Sequence, residues 1–287
     1  MSDVAHVFRR VQDPSFFRAL APTLTIGERT SFGAAGRTAG ARPGALEPGG
    51  HVAWPAVVAA PRAAAMRAAI EALVAEGLPA VFAYVYDAFW EPLDALAGVA
   101  GPVLGPHEAL ADVWAWLVPR EAGRRGWPAH RGLSTLERGE GGRPLTLNVW
   151  VALADVGPDE ACMWIVPLDQ DPDYPDHLDG RRGEGRAIPL PARAGDALAW
   201  NANALHWGGP MTERARGPRV SFSYTLRALG APRVVDPLPE PLGFEARLDV
   251  VAAMIGTYAA SEAAPPAVRE WAEVTRALGA ALRGRPA

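Results

Sequence analysis

The chain has 287 residues, a formal net charge of -4, 49% hydrophobic and 21% charged residues. No apolar run approaches the ~18 residues that a membrane-spanning helix needs, and the acidic balance speaks against a nucleic-acid polymer as partner, since binders of its phosphates carry a basic excess. A core of this size needs no disulfide or structural metal, and the single cysteine, Cys162, stands in an apolar strand-like run where the expected role is that of a small buried hydrophobe.

The N-terminus, Met1-Ser2-Asp3-Val4-Ala5-His6, lacks a basic region followed by an apolar stretch, so the expectation is a cytoplasmic protein. Residues 1–50 combine the short apolar piece Phe16-Phe17-Arg18-Ala19-Leu20 with a Gly-, Ala- and Arg-rich tract of no sustained period, expected as loop or lid. From Pro61, Met66, Ile70, Leu73 and Val74 fall on one helix face, with Gly77 as the stop. Val81 to Leu96 contains Pro92 and predicts a helix, or two short pieces broken near Trp90. Asp112 to Val118 alternates as a strand closed by Pro119.

Trp127-Pro128-Ala129-His130-Arg131-Gly132 follows on a loop, and 138–144 is punctuated like an exposed hairpin turn. Leu145–Leu153, Cys162–Val166, Ala197–Trp200 and Val220–Leu226 read as core strands, and Asp169–Gly185 as a long surface loop of the kind that acts as a lid. Val250–Tyr258 and Ala267–Leu282 are expected helices, separated by Pro265-Pro266. The expectation is a single domain, 1–287. It is mainly β with flanking helices: a double-stranded β-helix (jelly-roll, cupin-like) core at about 112–227, an N-terminal helical and loop region 1–111, and C-terminal helices in 248–283.

Six features occur in a fixed order: His130 with Gly132 two residues on, Trp150-Val151-Ala152-Leu153-Ala154-Asp155, Val166-Pro167, Gly195-Asp196, His206, and Arg219-Val220-Ser221. This order resembles the phytanoyl-CoA dioxygenase branch of the iron(II)- and 2-oxoglutarate-dependent oxygenases, over about a hundred residues. The resemblance implies His130 and His206 as iron ligands, and Arg219, with Ser221 and Asn148, as the 2-oxoglutarate site. A guanidinium grips a carboxylate through two parallel bonds, and Arg214 and Arg216 are nearby competitors for that role.

The chain departs from the oxygenases at Gly132, where they carry the Asp of H-x-D; in this it resembles the iron-dependent aliphatic halogenases. Their chemistry implies an open coordination position that chloride fills. With O2, 2-oxoglutarate is decarboxylated to succinate, hydrogen is taken from an unactivated carbon, and chlorine returns to it. Two alternatives stand beside this: a hydroxylase or other oxygenase completed by water or by a carboxylate such as Glu137, and a metal-free jelly-roll binding protein. Asn201, Asn203, Trp207 and Arg131 are expected to line a substrate pocket, although turn chemistry explains the two asparagines equally well. The substrate is expected to be a free small molecule. Arginines in loops around the site, at 120, 124, 125, 131, 181, 182 and 186, would suit a phosphate, which suggests similarity to the adenine-nucleotide halogenases of antibiotic pathways. His6, His51, His107 and His177 are not expected as ligands, and most tryptophans are expected in the core.

Overall fold

The structure, a computed structural model, describes residues 2–27, 46, 48–232, 235–259 and 264–282. The expected loop or lid of the Gly-, Ala- and Arg-rich tract falls, over residues 28–45, outside the described residues.

Eight strands are present among the described residues: β1 (His51–Trp54), β2 (His107–Val118), β3 (Thr146–Ala152), β4 (Met163–Ile165), β5 (Ile188–Leu190), β6 (Ala197–Asn201), β7 (His206–Gly208) and β8 (Arg219–Ala228). They form an antiparallel five-stranded sheet of order β1-β6-β3-β8-β2 and a three-stranded sheet of order β5-β4-β7. This is the expected double-sheet jelly roll. Its helical share is larger than a mainly β chain suggests, with α1 (Ser2–Val11), α2 (Pro14–Leu20), α3 (Ala60–Ala75), α4 (Pro92–Leu104), α5 (Phe244–Thr257) and α6 (Pro266–Leu282). No helix of the described residues is long and apolar enough to cross a membrane.

Side chains alternate across a pleated strand, and β8 uses both faces. Val220, Phe222, Tyr224 and Leu226 enter the main apolar core with the 3-10 run Ala80–Val85 and helices α3 and α5. There Tyr224 donates to the Phe89 carbonyl at 2.6 Å. Burying an aromatic side chain of this kind contributes about 1.5–3 kcal/mol. Arg219, Ser221, Ser223, Thr225 and Arg227 alternate with that series and hold the other face, toward the small sheet.

Helix α3 buries Ala63, Met66, Ala69, Ile70 and Leu73, and Gly77, at φ 77°, follows its end as expected. Val74, assigned to the same face by its spacing, is 38% exposed. Three differences from the sequence reading stand out. Residues 2–20, expected as loop or lid, fold as two helices, the second capped by Asp13, whose side chain accepts from the Ser15 amide at 2.8 Å ahead of a buried Phe17. Strand β1 joins the large sheet from outside the expected core boundaries. Strand β2 begins at His107 rather than Asp112, with a register irregularity between Ala109 and Val113 that fits extra residues against β8.

Candidate active site

The two histidines are joined through their backbones. His130 and His206 exchange amide-to-carbonyl hydrogen bonds of 3.0 and 2.9 Å, so the loop carrying His130 extends the small sheet beside β7. Their ring centroids lie 4.3 Å apart. In each ring Nδ1 faces the carbonyl of the residue two before, Pro128 at 2.8 Å and Ala204 at 2.9 Å. A carbonyl can only accept, so the proton belongs on Nδ1 and the Nε2 lone pair of both rings is left for another partner. That is the orientation imposed on metal-binding imidazoles. Burial first, then the Arg181 charge, lowers the His130 pKa against the raising effect of the Pro128 carbonyl. Burial and then His130 itself hold His206 well below the usual range. Both are thus in the neutral form that can coordinate a cation.

No group of three or more His, Cys, Asp or Glu side chains able to hold a metal occurs among the described residues. Glu137, a possible substitute for the missing Asp, accepts from Arg227 at 2.8 Å and from the Thr146 hydroxyl at 3.1 Å, a nearly buried ion pair that accounts for both of its oxygens. Gly132 stands beside the pair but not beside empty space. A Cβ at 132 would lie 2.5 Å from Nδ2 of Asn148 and 3.1 Å from its Oδ1. The opening expected directly beside the glycine is therefore taken up by the Asn148 amide.

Pairing across the large sheet arranges the rest of the cavity in rows. Trp200, Asn148 and Thr225 are opposite one another on β6, β3 and β8. Trp150, Ser223 and Trp114 form the next row, and Ala152, Ser221 and Trp116 the one after. The cavity measures about 210 Å³ and its lining includes His130, Gly132, Asn148, His206 and Arg219. It borders a wider cleft of about 790 Å³, with Asp112, Gly132, Asn148, Thr225 and Tyr258 shared between the two.

Arg219, 1% exposed, reaches the cavity from the first position of β8 and donates to the Ala161 carbonyl at 3.0 Å. Two glycines make room for its guanidinium, because a Cβ at Gly126 or Gly208 would come within 2.5 or 2.6 Å of its nitrogens. Ser221 lies two residues along the same face, and its buried hydroxyl has no hydrogen-bond partner in the protein. A cradled cation and an orphaned hydroxyl on one strand suit an anionic carboxylate ligand. The competitors are engaged elsewhere: Arg214 pairs with Asp159 at 2.9 Å and Arg216 with Glu160 at 3.1 Å, both on the surface.

The expected substrate residues divide differently. Arg131 lines the cavity, but its guanidinium donates to the Leu178, Asn203 and Gly180 carbonyls and pairs with Asp171 at 2.8 Å, both partners buried. It fastens the long 169–185 loop to the His130 loop. Asn203 donates to the Leu133 and Thr135 carbonyls and accepts from the Glu137 amide, while Asn201 accepts from the Asn203 amide. Asn203 thus fastens the 133–137 loop, Asn201 closes the turn that presents Asn203, and neither lines the cavity. Trp207 also stays outside it, because it neighbours His206 on β7 and so points to the opposite face. Of the arginines expected to receive a phosphate, Arg120, Arg124, Arg182 and Arg186 bond to groups of the protein itself.

Tryptophans 114, 116, 150 and 200 line the cavity as well as being buried or half-buried. Cys162 is buried as expected, and burial pushes its thiol pKa up to about 12. Sequence reasoning missed Asp112 and Tyr258 as cavity residues. An acidic residue leading an aromatic strand was the one available signal for Asp112; Tyr258, at the end of a helix 146 residues away, had none.

Comparison with curated protein sequences finds no match. Solved structures similar to the chain include the epimerase SnoN in complex with Fe3+, alpha ketoglutarate and nogalamycin RO, at 22% identity and a TM-score of 0.48 over 80% of this chain and 96% of that one. The non-heme alpha ketoglutarate dependent carbocyclase SnoK from nogalamycin biosynthesis is similar at 20% identity and a TM-score of 0.47, covering 68% and 92%. HygX from Streptomyces hygroscopicus with nickel and 2-oxoglutarate bound follows at 16% and 0.40, covering 63% and 83%. The family model described as phytanoyl-CoA dioxygenase (PhyH) matches residues 83–217, just under half of the chain, a stretch that contains His130, Gly132 and His206 and stops short of Arg219.

Proposed function

We propose that the protein is an iron(II)- and 2-oxoglutarate-dependent oxidoreductase that acts on a carbon-hydrogen bond of a small molecule, and that chloride takes part in place of a third protein ligand. The carrying observation is the pair of backbone-locked histidines, each with Nε2 directed away from its Nδ1 contact, with no carboxylate of the described residues beside them. The family-model match over the same stretch supports the iron reading. Bound iron and 2-oxoglutarate would supply oxygen activation; the protein's own groups bind, orient and exclude water. His130 and His206 would hold the metal, Arg219 would receive the far carboxylate of 2-oxoglutarate, and Ser221 would donate to it. The tryptophan-lined cavity limits water near the reacting carbon.

A second reading, oxygenation rather than halogenation, is favoured by the Asn148 amide at Gly132. An amide oxygen or a water held by that amide can occupy the position that chloride would take. The two are separated by reconstituting the protein without air with iron(II) and 2-oxoglutarate, then adding oxygen, chloride and a metabolite mixture, with mass spectrometry of the products. A chlorine isotope pattern is the expected result. Oxygen incorporation without chlorine would select the second reading, and failure to bind about one iron per chain would overturn both in favour of a binding protein.

A further inference from the structure

The cavity has two chemically opposite ends. Arg219 marks one, and Asp112, six residues farther along the sheet through its contact with Thr225, marks the other. The β2 irregularity between Ala109 and Val113 brings Asp112 against Thr225, whose hydroxyl donates to Oδ2 at 2.7 Å, while the Tyr258 hydroxyl donates to Oδ1. Both donors are neutral. None of the described residues forms an ion pair with Asp112, although it is half-buried and is the single carboxylate lining the inner cavity among those residues. A carboxylate so placed keeps a further lone pair on each oxygen beyond these two contacts, and such groups are normally completed by a cation.

Aromatic rings surround it. Tyr258 lies 4.5 Å from Trp127 and 5.1 Å from Trp114 between ring centroids, and Trp127 continues to His130 at 5.9 Å. An ammonium group gains both from a carboxylate and from the negative faces of such rings. Trp127 separates this corner from the histidines, so a group bound by Asp112 would sit about one aromatic ring away from the carbon presented to the metal.

We infer that Asp112, Tyr258, Trp114 and Trp127 form a recognition subsite for a protonated amine carried by the substrate. This rests on the cavity being the substrate pocket of the proposed iron enzyme. It names a substrate class different from the phosphate ester that the arginine-rich loops suggested, and those arginines are largely engaged within the protein.

The test uses the full chain, metal-free and loaded with iron(II) and 2-oxoglutarate, and measures calorimetric binding of tryptamine and 2-phenylethylamine against their neutral counterparts tryptophol and 2-phenylethanol. The amines are expected to bind at least about tenfold more tightly than the alcohols, the usual scale of one charge-assisted contact. Asp112→Asn should abolish that preference, while Tyr258→Phe, which keeps the ring and the carboxylate, should retain it. Equal affinity for amine and alcohol, absence of amine binding, or an unchanged preference in Asp112→Asn would each overturn the inference. The wild-type comparison decides it even if a variant folds poorly. Loss of iron binding with the amine preference intact would sink the iron reading alone; iron bound with no amine preference would sink this inference alone.

Discussion

His130 and His206 belong to one hydrogen-bonded pair of backbone segments, so neither imidazole can shift along its strand without breaking the 3.0 and 2.9 Å bonds that tie it to the other. Replacing either by alanine should remove iron binding while leaving the backbone pairing in place, since both exchanged bonds are main-chain. Metal analysis after reconstitution is expected to fall from about one iron per chain to near none, with the circular dichroism spectrum preserved. Near-normal iron content in either variant would show that the residue is not a ligand.

Acid should unfold the metal-free protein early. Both histidines have pKa values below that of a free imidazole, chiefly through burial, so the unfolded chain binds protons first as pH falls through about 6.5. Stability should be highest above that pH and decline between it and the lower folded-state values. Denaturation midpoints between pH 7.5 and 5 should drop less in His206→Gln than in the native chain, and parallel curves would contradict the assignment.

Gly132→Asp should destabilise before it does anything else. Its Cβ meets the Asn148 amide at 2.5 Å, an overpacking that typically costs about 1–3 kcal/mol. The paired change Gly132→Asp with Asn148→Ala should recover most of the lost melting temperature, bind iron, and lose any chloride dependence of product formation. Full chlorination by the paired variant would mean that position 132 does not face the metal.

Arg219→Ala should weaken 2-oxoglutarate at least about tenfold, the loss of a charge-assisted contact worth about 1.5–3 kcal/mol. Arg219→Lys should rescue little, because a single ammonium cannot offer two parallel donors. Titration of 2-oxoglutarate into the iron-loaded variants measures this, and unchanged affinity would move the role away from Arg219.

Arg131→Met leaves Asp171 buried without its cation, a change that costs about 3–5 kcal/mol when both partners are buried. The expected signature is a lower melting temperature together with faster proteolysis inside 169–186. A variant as resistant as the native chain would show that the clamp does not hold that loop.

Strands β2, β3, β4, β6 and β8, helix α3 and the two C-terminal helices were legible, through alternation in 112–118, apolar runs such as 145–153, and helical spacing from Met66 to Leu73, whereas the short β1, β5 and β7 carry too few residues to show a pattern. That His130, His206 and Arg219 meet at one cavity was legible through the order of short motifs. What stayed hidden depends on contacts between distant segments. Glu137 could be a ligand on paper until Arg227, ninety residues away, neutralises it. Asn201 and Asn203 flank His206 in the chain, yet Asn203 bonds to the 133–137 loop and Asn201 accepts from the Asn203 amide. The apparent vacancy at Gly132 is occupied by a side chain from β3, and no pattern local to His130-Arg131-Gly132 could reveal it.

The alternation of β8 gives the cavity a fixed scale. Arg219 and Thr225 lie on the same face six residues apart, about 20 Å of strand at the usual rise, and the backbone bonds to β2 and β3 on either side prevent that interval from stretching. The strand works as a ruler between the Arg219 end of the cavity and the Thr225 and Asp112 end. Side-chain replacement along it can change what is held at each mark but not how far apart the marks are. A change in the distance between those two ends would therefore require insertion or deletion in β8, or a change at the irregular stretch 109–113 of β2, where the ladder already fits extra residues.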